Sequence, residues 1–271
     1  MTIKIDRDGP VSIITINRFE DARNAVDPET ADALHAAFME FNQDPEAKAG
    51  VFYGAGGAFC AGWDLKYGST LTNKEDFDRE LRKGLAFPIG AGTPPRGPMG
   101  PSRLEFDKPV IAAVEGPAVA GGMELALLAD CRVMAETAYF GVYCRRWGIP
   151  LIDGGTVRLP RLVGQGKALE IAMTGRKVTA EESYRIGLCE KVVPVGKALE
   201  AALEMAHEIC RYPQEAMLAD RRSIIENHGQ PIRDALRNEW ANGLDSCINQ
   251  GTEGAGRFAA GKGRSGDFSE I

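Results

Sequence analysis

Two stretches decide the fold: Ala58-Phe59-Cys60-Ala61-Gly62-Trp63-Asp64-Leu65 and Glu115-Gly116-Pro117-Ala118-Val119-Ala120-Gly121-Gly122-Met123-Glu124-Leu125. Both come after short apolar runs, Val51-Phe52-Tyr53 and Val110 to Val114, that read as buried strands. Glycine lets backbone amides approach a ligand closely, and a helix start leaves N–H groups unpaired. Two such junctions can aim two amides at one oxygen. They can equally be two tight turns that serve only the fold. Glu124 sharpens the choice, because it sits among Met123, Leu125, Ala126, Leu127 and Leu128. A carboxylate in apolar company is costly unless it is paired or used, although a first-turn glutamate also suits the helix dipole.

Working outward, Ile3 and Ile5, the polar turn Asp6 to Pro10, then Val11, Ile13 and Ile16 predict a β-hairpin. Asp27-Pro28 predicts a helix start, and Leu34, Phe38 and Phe41 recur at helical spacing until Asp44-Pro45. From about Gly68 to Arg103 a charged helical stretch runs into Pro88, Gly90, Gly92, Pro94, Pro95, Gly97, Pro98, Gly100 and Pro101. So many breakers predict a long irregular segment, either a lid over a pocket or a surface excursion. Order returns with a strand at Val110 to Val114, a helix from Met123 and a strand at Cys131 to Met134. Strands alternating with helices predict an α/β class. After Pro194 the pattern is helical almost throughout. The expected division is an α/β core over 1–195 and a helical region over 196–271.

Composition narrows the function classes. The 271 residues are 44% hydrophobic and 26% charged, enough to bury a sizeable core, and the net charge of −6 argues against a general nucleic-acid binder. Cys60, Cys131, Cys144, Cys189, Cys210 and Cys247 form no CxxC pair and read as free thiols of a reducing compartment. MTIKIDRDGP lacks a signal-peptide apolar core, and no run has the apolar length of a membrane span. A cytoplasmic location is expected. The three histidines, His35, His207 and His228, lie far apart, and no HExxH, GxSxG or P-loop occurs. No metal site is expected.

The two junctions together resemble the paired motifs of the crotonase (enoyl-CoA hydratase/isomerase) superfamily, AFxAGxDL and GxxxGGGxEL, with Ala120 in place of the first glycine of the triplet. Phe140-Gly141, Gly148-Ile149-Pro150, Gly154-Gly155-Thr156, Arg158 to Gly164 and Met173 to Arg176 follow the same family in order. The resemblance implies a crotonase-type spiral of ββα units with a C-terminal helical trimerisation region, giving a homotrimer or a dimer of trimers. It implies an acyl-CoA thioester substrate, coenzyme A arriving as part of that substrate, and no separate cofactor.

It also assigns roles. The N–H groups of Trp63 and Gly121 are expected to hold the thioester oxygen as it becomes an enolate oxyanion. Glu124 matches the first of the hydratases' two acid–base glutamates, but the second falls on Cys144, whose neutral thiol is no general base of carboxylate strength. Asp153 is the expected substitute, unless it merely caps the helix that starts at Gly154-Gly155-Thr156. Arg23, Ala25, Ala61, Asp64 and Lys66 are expected to contact substrate. Arg23 and Lys66 would reach the nucleotide phosphates, or else be ordinary solvated charges. Pocket walls are expected from the 68–103 insert and from Tyr143, Trp147 and Trp240. The favoured activity is hydration of a 2-enoyl-CoA, with double-bond isomerisation next, then thioester hydrolysis or a non-catalytic acyl-CoA scaffold.

Overall fold

The hairpin forms where alternation predicts it: β1 (Ile3–Asp8) and β2 (Val11–Ile16) pair antiparallel across Gly9-Pro10. The computed structural model describes residues 1–71, 73–90 and 94–263. Further strands are β3 (Ala49–Gly54), β4 (Val110–Val114), β5 (Pro117–Val119), β6 (Cys131–Ala135), β7 (Tyr139–Gly141), β8 (Lys177–Thr179) and β9 (Lys191–Val193). The six-stranded sheet β1-β2-β3-β4-β6-β9 is parallel beyond its first hairpin, and β5-β7-β8 makes a smaller second sheet. Every residue of β4 is buried, which is why it reads as an unbroken apolar run rather than an alternating one.

Helix α1 (Pro28–Gln43) begins as its sequence says, with Asp27 Oδ1 accepting the Thr30 amide at 2.9 Å. Its Leu34, Phe38 and Phe41 pack into the core, where Phe38 meets Phe52 edge-on at 5.1 Å. Longer helices that follow are α2 (Gly121–Ala126), α3 (Gly155–Val163), α4 (Gln165–Thr174), α5 (Ala180–Arg185), α6 (Ala198–Arg211), α7 (Gln214–Glu226) and α8 (Ile232–Ala259). The helical region expected from residue 196 opens with α6. Helix α6 lies against β3, β4 and β6 and buries Ala198, Ala201, Ala202, Ala206 and Cys210 in the main core. Small residues on that face let helix and sheet approach closely. Beyond it, α7 and α8 pack chiefly on each other, and among the described residues of α8 Ser246 alone is buried.

The long insert is partly ordered structure. Lys74–Phe77 and Asp78–Gly84 are helical, as their charge pattern suggests. After the breakers, Gly97 and Gly100 exchange two backbone hydrogen bonds of 2.9 Å, and Pro101–Arg103 forms a 3-10 turn. Met99 is fully buried and Gly100 lies against the backbone of Ala31. Residues 97–103 are therefore packed into the body of the protein as a wall. Among the described residues, no helix is long and apolar enough to cross a membrane.

Candidate active site

The two glycine junctions meet backbone to backbone. Phe59 N donates to Pro117 O and Val119 N to Cys60 O, each at 3.0 Å. A Cβ at Gly116 or Gly122 would drive into the carbonyl of Gly57 or Cys60, so neither position has room for a side chain. This contact brings Gly62 to Gly121: a Cβ on Gly62 would lie 3.1 Å from Gly121 N. Among the described residues, neither Trp63 N–H nor Gly121 N–H has a protein acceptor, whereas Val26, Asp64, Ala120 and Met123 beside them all donate. Trp63, Ala120 and Gly121 line one cavity of about 320 Å³, within the usual range for a small-molecule site.

Asn24 and Arg18, which sequence reasoning passed over, hold the first junction in place. Asn24 is fully buried and donates to Ala55 O at 2.8 Å and Ala58 O at 2.7 Å, while accepting the Arg18 amide. Arg18 bridges Asp27 and Asp64 at 2.9 and 3.0 Å. Asp64 also caps the turn Leu65–Gly68, accepting from Lys66 N. Both Asp64 carboxylate oxygens are engaged by the protein, and Asp64 is not among the residues lining the cavity. Ala61 does line it. Ala25 is buried beside the loop, and Arg23 and Lys66 are cations flanking it, outside the cavity wall. The Arg23 carbonyl accepts Ala61 N–H, tying it to the loop.

At the second junction Ala120 adopts φ 53° and ψ −125°, a conformation that glycine takes more easily. Strain of this kind costs on the order of 1–3 kcal/mol. Ala120→Gly is expected to raise stability by about 1 kcal/mol, after the larger unfolded-state entropy of glycine is offset. Thermal unfolding of the variant checks this, and a lower Tm would count against strain at that residue.

Glu124 and Asp153 face the same cavity, each only a few per cent exposed. Glu124 Oε1 accepts the amides of Asp153 and Gly155 at 2.9 and 2.8 Å, leaving Oε2 with no protein partner among the described residues. Burial and the neighbouring Asp153 charge raise the Glu124 carboxyl to about 7, against the pull of those two amides. Asp153 caps no helix: α3 starts at Gly154 without a side-chain cap. Instead Asp153 Oδ1 accepts the Met99 amide at 3.0 Å and the Ser102 hydroxyl. Burial raises its carboxyl, while Ser102, Met99, Arg103 and Arg158 oppose the rise. Below the pair, Arg158 donates to Asp153 O at 3.1 Å and Ser102 O at 2.9 Å.

Cys144 also lines the cavity, and burial together with the Glu124 charge pushes its thiol up, away from a thiolate. The other walls are Leu65, Phe77, Leu81, Pro98 and Met99, then Tyr143, Trp147, Ile149, Pro150 and Ile152. Trp240 is not among them. It is 69% exposed on α8, so that expectation is corrected. Among the described residues, no group of three or more His, Cys, Asp or Glu could hold a metal ion.

Two free amides and two buried carboxylates share one largely apolar cavity, an arrangement of the kind that holds a developing oxyanion beside a proton-transfer group. The family model for enoyl-CoA hydratase/isomerase matches residues 6–86 and 102–240. The chain is 36% identical over 263 residues to the enoyl-CoA hydratase EchA19 of Mycobacterium tuberculosis, covering 94% of this chain and 92% of that one. It is 35% identical over 238 residues to the carnitinyl-CoA dehydratase of Salmonella typhi, covering 87% and 85%. Among solved structures, the enoyl-CoA hydratase EchA1 of Mycobacterium marinum superposes with a TM-score of 0.82 at 31% identity, over 96% of both chains. This protein belongs to the enoyl-CoA hydratase/isomerase family, has the crotonase fold, and is an enzyme of that family.

Proposed function

We propose that the protein hydrates a 2-enoyl-CoA, with Glu124 and Asp153 sharing the proton transfers. The observation that carries this reading is the pair of buried acids that line the cavity, each with one oxygen pinned by the protein. The thioester oxygen would sit on the amides of Trp63 and Gly121, which stabilise negative charge as it develops there. Glu124 Oε2 takes a proton from water as the hydroxyl adds to the β-carbon. Asp153, in its protonated form, delivers a proton to the α-carbon as the enolate collapses. Water is thereby added across the double bond, and each acid regains its starting state through a proton exchange with solvent. Arg23 and Lys66, beside the first junction, suit the phosphates of the coenzyme A part of the substrate, and the reaction needs no further cofactor.

Cys144 supports the second reading. With no base at that position, one acid moving a proton over an enolate performs double-bond isomerisation. Asp153→Asn separates the two. It is expected to lower hydration kcat by about 10²-fold while leaving one-base isomerisation of a 3-enoyl-CoA largely intact. Turnover of both substrates is measured, and an unchanged hydration rate moves the assignment to isomerase. A panel of short, long, branched, ring-bearing and quaternary-ammonium enoyl-CoAs identifies the acyl group.

The assembly we propose is a homotrimer or a dimer of trimers in the cytoplasm. Ile232, Leu236, Trp240 and Ile248 stand exposed along α8, an apolar row that a neighbouring subunit would cover. The basic C-terminal end containing Arg257 lies on the same helix, and Arg264 lies outside the described residues.

A further inference from the structure

We infer that Ser102 is a positioning residue for catalysis: with the Met99 amide, its hydroxyl fixes one oxygen of Asp153 so that the other faces the cavity. The inference rests on the proposed proton-transfer role of Asp153. Its geometry is specific. Ser102 is 3% exposed, lies 51 positions from Asp153 in sequence, and donates to the same Oδ1 that accepts Met99 N. The site around it is closed against alternatives. A Cβ at Gly97 would collide with Ser102 Oγ and come within 2.7 Å of Asp153 Oδ1, so only glycine leaves the pair undisturbed. The Ser102 carbonyl in turn accepts from Arg158 Nη2 at 2.9 Å, while Arg158 Nη1 donates to the Asp153 carbonyl, locking the two segments in register.

This arrangement answers a chemical need that Cys144 creates. A carboxylate on a short side chain, reaching the cavity from the loop before α3, has to be aimed, because a small rotation about its Cα–Cβ bond moves the working oxygen. Two donors on one oxygen remove that freedom. The charged and titratable groups that face Asp153 are Glu124 from α2, Arg158 from α3 and Arg103 from the 3-10 turn; Cys144 faces Glu124 from the far wall. The Ser102 hydroxyl favours the charged form of Asp153, so its removal should let Asp153 hold its proton to higher pH.

The experiment compares Ser102→Ala, Asp153→Asn and the double variant, with kcat for a 2-enoyl-CoA measured across pH. Acetyl-CoA titration counts competent sites in each preparation. Ser102→Ala is expected to lower kcat about tenfold with KM little changed. The high-pH limb, along which Asp153 loses the proton it delivers, should move up by about one pH unit. In the double variant the losses should not add, because Ser102 acts only through Asp153. An unmoved limb in Ser102→Ala, with Asp153→Asn severely impaired, overturns the Ser102 inference alone. Full activity in Asp153→Asn overturns the proposed role of Asp153 itself. Additive losses with an unmoved limb assign Ser102 to stability only, which also overturns the inference.

Discussion

Glu124→Gln is expected to lower kcat on a 2-enoyl-CoA by about 10²–10⁴-fold, toward the upper end, because it removes the proton-handling oxygen and keeps shape. The carboxamide oxygen of the variant can still accept the amides of Asp153 and Gly155, so the loop before α3 should stay in place. The same change should make the protein more stable at alkaline pH. The folded-state pKa of about 7 lies above the ordinary glutamate value of 4.5, so folding favours the protonated acid. Below pH 4.5 the folded and unfolded chains both carry the proton and Glu124 costs nothing. As pH rises from 4.5 through 7 the cost accrues, reaching roughly 3 kcal/mol above pH 7. Thermal unfolding at about pH 8 should therefore favour Glu124→Gln, and the advantage should fade near about pH 4. Full turnover in this variant would sink the central assignment. Loss of turnover without the alkaline stability gain would mean that burial does not raise the acid.

Gly62→Ala is expected to reduce kcat/KM by about 10²–10³-fold, the loss typical of a single oxyanion donor. Gly62 has φ +95°, where an L residue is strained by about 1–2 kcal/mol. Its new methyl would lie 3.0 Å from Val119 O and from Ala120 Cβ, and 3.1 Å from Gly121 N. The methyl therefore crowds one amide of the pair, and the strained backbone shifts the other, on Trp63. Side-chain substitution normally cannot test a main-chain donor; here the close approach of two backbones makes it possible. Turnover and unfolding are measured together. A variant that is less stable but fully active would show that the junctions serve the fold alone.

What could be read from sequence follows the range of the interactions. The hairpin, α1 and the run of β4 are local patterns, set by alternation, an N-cap and continuous burial. Glu124 was legible because its sequence neighbours are apolar, and the unpaired amides because glycines mark both junctions. Asp153 came only through family resemblance, and its alternative as a helix cap needed coordinates to remove. Ser102 and Met99 left no mark, and Gly97 and Arg158 showed only as a breaker and a motif residue, since no periodicity encodes a long-range hydrogen bond. The partners of Asp64 were hidden in the same way. A carboxylate beside a binding loop looks available, and nothing nearby in sequence announces that Arg18 and the Lys66 amide already hold it. The helical pattern after residue 195 likewise hid that α6 belongs to the core, because its buried face is made mostly of alanines, which serve surface helices equally well.

The packed wall at 97–103 bears on how the enzyme comes into being. Met99 and Ser102 precede β4, whereas the carboxylate they hold follows β7, 54 and 51 positions downstream. Contacts of that span form only after a large loop has been closed, and chains dominated by them fold slowly. A chain with its sheet in place but the 97–103 wall undocked has Asp153 free to solvent, carrying an ordinary carboxylate's charge. Docking is thus the moment at which that acid leaves water and acquires its working protonation behaviour.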